Sequence, residues 1–240
     1  MKNLLFWLLF PFILPQALWV KQTATRFSGA AGKPCGVLGE GPTRSLLAIG
    51  DSIIDGVGAA TFERALVGQT ARALALRQQA SIQWTALGTT GITSNGVVHK
   101  QLRQLPDARP DFVIVSVGVN DVTALTRRQV FISNLNALMT SVHRYAPEAV
   151  IAVAGLPPLG RFPLLPQPLR AVLGLRASVL DQALEHVIES YDYAVHVPIS
   201  FDLEPENFSA DGYHPNEDSY VEFGRIMAEA LVSQATAKRK

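Results

Sequence analysis

Three short clusters in this chain carry side chains that could together perform acyl transfer. Gly50-Asp51-Ser52 offers a hydroxyl, and Gly118-Val119-Asn120-Asp121 offers a side-chain amide. Asp211-Gly212-Tyr213-His214-Pro215 offers an imidazole with a carboxylate three residues before it. A serine hydroxyl is a weak nucleophile until a neighbouring base takes its proton. An Asp placed three residues before a His can fold back onto Nδ1, which fixes the tautomer and leaves Nε2 as the base. Gly212 permits the tight turn this needs, and Pro215 keeps His214 out of helical geometry. Taken singly, each cluster reads as an ordinary turn or helix cap. Taken together they supply a nucleophile, an amide donor and a base with its orienter.

Such groups must be brought to one place by the elements around them. From Ser45 onward, short apolar runs alternate with longer amphipathic ones. Strands are expected at 46–49, 82–87, 112–117, 150–154 and 194–197, and helices at 62–77, 93–105, 127–145, 169–191 and 217–233. Phe112-Val-Ile-Val-Ser-Val117 is apolar on both faces, as a central parallel strand should be. The alternation predicts a three-layer α/β/α sandwich around a mainly parallel sheet. Loops that follow parallel strands gather at the carboxyl edge, where ligands bind. All three clusters follow strands.

Composition narrows the function. With 240 residues and 48% hydrophobic side chains, the chain can bury a sizeable core. Its 21 basic and 20 acidic residues give no electrostatic case for a nucleic-acid partner. The single cysteine, Cys35, precludes an internal disulfide and a Cys-x-x-Cys metal site. His99, His143, His186 and His196 lack a second ligand at metal spacing. No phosphate-binding Gly-rich motif follows a strand, and the Gly-x-Ser-x-Gly elbow is absent.

The three motifs, in this order, resemble the signature blocks of the SGNH hydrolase superfamily (GDSL-type esterases and lipases), over about residues 45–235. A lone glycine forms that family's second block. Gly91 is favoured for it because it is read as opening the helix that follows, where backbone N–H groups are unpaired; Gly88 competes for the role. The resemblance implies a flavodoxin-like fold with a five-stranded parallel sheet. It implies Ser52 as nucleophile, His214 as general base and acid, and Asp211 as orienter. Ser52, Gly91 and Asn120 would form the oxyanion hole, and the reaction would need neither metal nor cofactor. It implies a carboxylic ester hydrolase working through an acyl-enzyme. Alternatives on the same fold are a carbohydrate acetylesterase and a non-catalytic acyl-ligand binder; transacylation is chemically indistinguishable at this stage.

Two segments bear on the substrate. Residues 156–168, rich in proline, read either as a stiff connector or as an apolar wall in which Phe162, Leu164 and Leu165 face the cleft. The second reading favours lipid-like or medium-chain esters. Leu4 to Val20 carries no charge and fits a secretory signal, a membrane anchor or an apolar helix docked on the domain. All three give this end a preference for a lipid or apolar surface and suggest a location at the cell envelope or membrane. Residues 1–20 are therefore expected as a separate apolar segment, 21–43 as a linker and 44–236 as the hydrolase domain.

Overall fold

The computed structural model describes residues 2–23, 27–199 and 204–238. In chain order, its elements are helix α1 (Lys2–Thr23), β1 (Cys35–Leu38), β2 (Thr43–Gly50), α2 (Leu66–Gln78), β3 (Ser81–Gly88), α3 (Ser94–His99) and β4 (Phe112–Ser116). They continue as α4 (Val119–Thr123), α5 (Arg128–Tyr145), β5 (Val150–Ala154), α6 (Leu169–Ile188), β6 (Ala194–Val197) and α7 (Glu217–Lys238).

The sheet has the strand order β1-β3-β2-β4-β5-β6. Every pairing is parallel except that of β1 with β3. Alternation along the central strands sorts the core into two halves. Leu47, Ile49, Val113, Val115, Ile151 and Val153 face one side, in a cluster with Phe131, Leu135 and Val142 of α5 and Leu180 and Leu184 of α6. Leu46, Ala48, Phe112, Ile114, Val150 and Ala152 face the other, in a cluster with Leu66 and Leu74 of α2 and Tyr220, Met227 and Leu231 of α7. Helices thus cover both faces, as strands buried on both sides require.

The register brings the strand ends level. Gly50 is paired with Gly88 on one side and Ser116 on the other, so three strand-to-loop turns leave the same sheet edge. Gly50 is required there: a Cβ would lie 1.9 Å from the Ser116 carbonyl oxygen.

The sheet has six strands where five are expected. The extra one, β1, arises inside 21–43, the stretch read as a linker. Its strand character comes from pairing with β3 and from the approach of Gly36 to the Trp84 ring, not from its own periodicity. The helix expected over 93–105 is shorter, ending at His99 and followed by a 3-10 turn at Gln101–Gln104. Helix α1 packs antiparallel along α6. Phe6 and Ile13 are buried in the core, Lys2 reaches Ser178 and Gln16 reaches Gln167. By length and composition α1 could also cross a membrane.

Candidate active site

Ser52 stands two residues past the end of β2. The turn that holds it is fastened by Asp51, whose amide donates to the Ser116 carbonyl. Its buried carboxylate accepts from the Ile53 amide and the Ser116 hydroxyl, both at 3.2 Å. Burial raises the Asp51 pKa to about 6, although these hydrogen bonds and the nearby His214 pull the other way. The loop beyond is pinned by Tyr220, whose hydroxyl donates to the Val57 carbonyl at 2.6 Å.

The motif after β6 folds back on itself. Asp211 Oδ1 accepts from Ser209 Oγ and the Tyr213 amide at 2.8 Å, and from the His214 amide at 2.9 Å. The other oxygen lies 2.5 Å from His214 Nδ1. Burial alone would raise the Asp211 pKa. The bonds from the His214 ring and from the two amides outweigh it and hold the carboxyl well below the ordinary range. An ionised Asp211 requires the proton on Nδ1, so Nε2 is the acceptor, and it lies 2.8 Å from Ser52 Oγ. Gly212 makes this turn at φ +68°, and Leu164 lies close enough against it to exclude any Cβ.

Asn120 lies on α4, one turn past β4. Its side-chain amide donates to the Ile92 carbonyl at 2.9 Å, which sets Asn120 beside the turn containing Gly91. One of its two N–H hydrogens remains for another acceptor. The Ser52 and Gly91 amides have no acceptor among the described residues. Gly91 adopts φ +81° with open space around its Cβ direction, whereas a Cβ on Gly88 would strike the Asp55 amide at 2.2 Å. Gly88 is thus packed against the serine loop and Gly91 is open. The glycine does not begin α3 as the sequence suggests; Thr93 caps that helix.

Asp55 and Asp121 brace the neighbouring loops. Asp55 accepts from the Thr90 amide and hydroxyl, and Asp121 accepts from the Ser94 amide and hydroxyl. His143 stacks on Tyr193 at 3.9 Å, and His196 Nε2 lies 3.5 Å from Asp181, both away from Ser52.

A cleft opens over Ser52 and His214, with an empty volume of about 640 Å³ including its mouth. Its apolar wall includes Val117, Val119, Leu156, Phe162 and Phe208. Of the three wall residues expected from 156–168, only Phe162 lines it, edge-on to Phe208 with ring centroids 5.2 Å apart. Leu165 is buried in the core, and Leu164 lies 54% exposed over Gly212. The physical reason is packing: Leu165 is taken up by the buried cluster and Leu164 lies against the Gly212 turn, so of the three only Phe162 borders the cleft. Asp51 and Phe208 belong to the site and were not singled out from the sequence. Asp51 had a signal, since it stands beside Ser52 in the first motif. Phe208 had none.

Comparison with known proteins places this geometry in context. Residues 48–221 match the model of the GDSL-like Lipase/Acylhydrolase family. A GDSL-like esterase of Mycobacterium tuberculosis is 30% identical over 209 residues, covering 80% of this chain and 63% of the relative. The chain therefore aligns with less than two thirds of that relative's length. Among solved structures, the psychrotrophic esterase EstA from Pseudoalteromonas sp. superposes with a TM-score of 0.60 at 16% identity, covering 80% of this chain and 99% of that one. A Clostridium thermocellum family 3 carbohydrate esterase superposes with a TM-score of 0.60 at 18% identity, covering 82% and 100%. A lipase from a goat rumen metagenome gives 0.59 at 17%, covering 80% and 97%. At these identities the structural likeness speaks to the fold alone.

Proposed function

The chain belongs to the GDSL-like lipase/acylhydrolase family, and from that membership we propose that it hydrolyses carboxylic esters with Ser52 as nucleophile. The observation that carries this reading is the unbroken hydrogen-bonded chain from Ser52 Oγ through the His214 ring to Asp211.

In the proposed reaction Ser52 Oγ attacks the ester carbonyl carbon while its proton passes to His214 Nε2. Asp211 stabilises the imidazolium that forms. The carbonyl oxygen becomes an oxyanion and is met by the Ser52 and Gly91 amides and the remaining N–H of Asn120. These donors are held by the fold before substrate arrives, so little reorganisation is needed as charge develops. Collapse of the intermediate breaks the bond to the alcohol, which leaves with the proton from His214. Water, deprotonated by His214, then releases the acid and restores Ser52.

The substrate reading rests on the cleft's walls. Val117, Val119, Leu156, Phe162 and Phe208 favour an aliphatic acyl group over a sugar face, so we assign lipid-like or medium-chain esters ahead of carbohydrate acetates. Helix α1 adds to this: Leu4, Leu8, Phe12, Leu18 and Trp19 are all at least half exposed on it, which suits a lipid surface and a membrane-associated enzyme.

A series of nitrophenyl esters from acetyl to dodecanoyl tests the assignment. The expected result is a kcat/KM that rises from acetyl to medium chains. A preference confined to acetyl would move the reading to an acetylesterase, and no turnover of any ester would leave a binder.

A further inference from the structure

A second concave site lies between α1, α6 and the start of α5. It is an open concavity of about 680 Å³ of empty space, open solvent included, lined by Asn3, Trp7, Arg127, Arg128, Gln129 and Arg176. Three of these six are cationic and none is acidic.

Arg176 is unusual for its charge. It is 1% exposed, and its guanidinium lies over the rings of Phe6 and Trp7 at 4.8 and 5.1 Å. One terminal nitrogen donates to the Thr126 carbonyl, but its Nε has no partner. A buried, incompletely bonded guanidinium is costly unless an acceptor reaches it. Asp121 acts on it electrostatically, yet both Asp121 oxygens are already bonded to Ser94.

The N-terminus of α5 points the same way. Arg127 caps the helix without a side-chain hydrogen bond, and no acidic residue occupies the first turn. The amides of Arg128, Gln129 and Val130 find no acceptor among the described residues. A helix N-terminus favours an anion, so two arginines there repel the local field until one arrives.

The geometry points to a binding site for the phosphate of an anionic phospholipid, formed by the first turn of α5 with Arg127, Arg128 and Arg176. The source of the phosphate follows from the surroundings. Trp7 forms part of the wall at 41% exposure, beside exposed Leu4 and Leu8 on α1, and Val130 is 46% exposed on α5. Tryptophan favours headgroup depth, with aliphatic neighbours reaching the acyl layer. The inference rests on the membrane reading of α1 and is independent of the esterase reading.

Vesicle flotation with the full-length chain tests it, comparing phosphatidylcholine vesicles with vesicles containing phosphatidylglycerol. Wild type should prefer the anionic vesicles. The exposed pair Arg127→Gln with Arg128→Gln should lose about 25-fold of binding to anionic vesicles, at roughly five-fold per cation. It should keep phosphatidylcholine binding and soluble-ester turnover. Lys100→Gln with Arg103→Gln, an equal charge change outside the pocket, should leave the preference intact. Equal binding of wild type to both vesicles would overturn the site alone, as would an equal loss in the control pair. Binding to neither would sink the membrane reading of α1 and the site with it. Thermal stabilisation by inorganic phosphate without a vesicle preference would overturn the lipid assignment.

Discussion

The Nε2 of His214 lies 2.8 Å from the Oγ of Ser52, across a separation of 162 positions in the chain. Two local devices make the meeting possible. Gly50 lets β2 end against Ser116, and Gly212 lets the motif after β6 turn back so that Asp211 grips the His214 ring. The His214 side chain is 23% exposed and that of Asp211 is 2% exposed, so the ring faces the cleft while the carboxylate is sealed behind it.

Replacing either residue tests the proposed roles of this pair by kinetics. Ser52→Ala and His214→Ala should each lower kcat by at least about 10³-fold, since each removes a step and not a binding contact. Circular dichroism and Tm should stay close to wild type. Near-wild-type turnover in His214→Ala would contradict the assignment.

Asn120 is held beside the Gly91 turn by its bond to the Ile92 carbonyl. Asn120→Ala should lower kcat by about 10²–10³-fold with KM little changed, the signature of a donor used mainly in the transition state. A rise in KM alone would assign Asn120 to substrate binding.

The edge-to-face contact of Phe162 and Phe208 should limit chain length in the cleft. Phe162→Ala should shift the best nitrophenyl ester toward longer acyl chains, at about 3 kcal/mol or more in stability because Phe162 is 6% exposed. An unchanged chain-length profile in folded protein would place the acyl group elsewhere.

Asp211 and Asp51 should pull stability in opposite directions with pH. Asp211 titrates below its unfolded value, so its contribution is present above about pH 4 and is lost as pH falls toward its folded value. Asp51 titrates near 6 when folded, so the native state holds its proton more tightly, and stability declines as pH rises from about 4 to 6. Relative to wild type, Asp51→Asn should therefore gain Tm between pH 4 and 7, by at most about 3 kcal/mol in stability. Asp211→Asn should lose most at neutral pH and least in acid. Calorimetry from pH 4 to 7 checks the sign for Asp51→Asn, and from pH 5 down into acid the sign for Asp211→Asn; a flat difference for either variant across its own window would contradict its environment.

Much of this was legible in the residues themselves. The apolar runs at β4 and β5 and the long amphipathic stretches of α5, α6 and α7 are local signals that tertiary contacts reinforce. The motifs at Ser52, Asn120 and His214 were visible because each follows a strand. What escaped depended on contacts distant in sequence. β1 exists because β3 offers it an edge, and Cys35-Gly-Val-Leu38 carries little pattern of its own. Leu164 and Leu165 were grouped with Phe162 by composition, whereas tertiary packing places Leu165 in the buried cluster and Leu164 against Gly212. Phe208 reaches the cleft from a loop whose path no local rule describes.

The most direct test is fluorophosphonate labelling of the purified chain, read by mass spectrometry of its peptides. The account predicts one adduct, on Ser52, that disappears in Ser52→Ala and forms far more slowly in His214→Ala. An adduct on another serine, or full ester turnover without an adduct on Ser52, would contradict it.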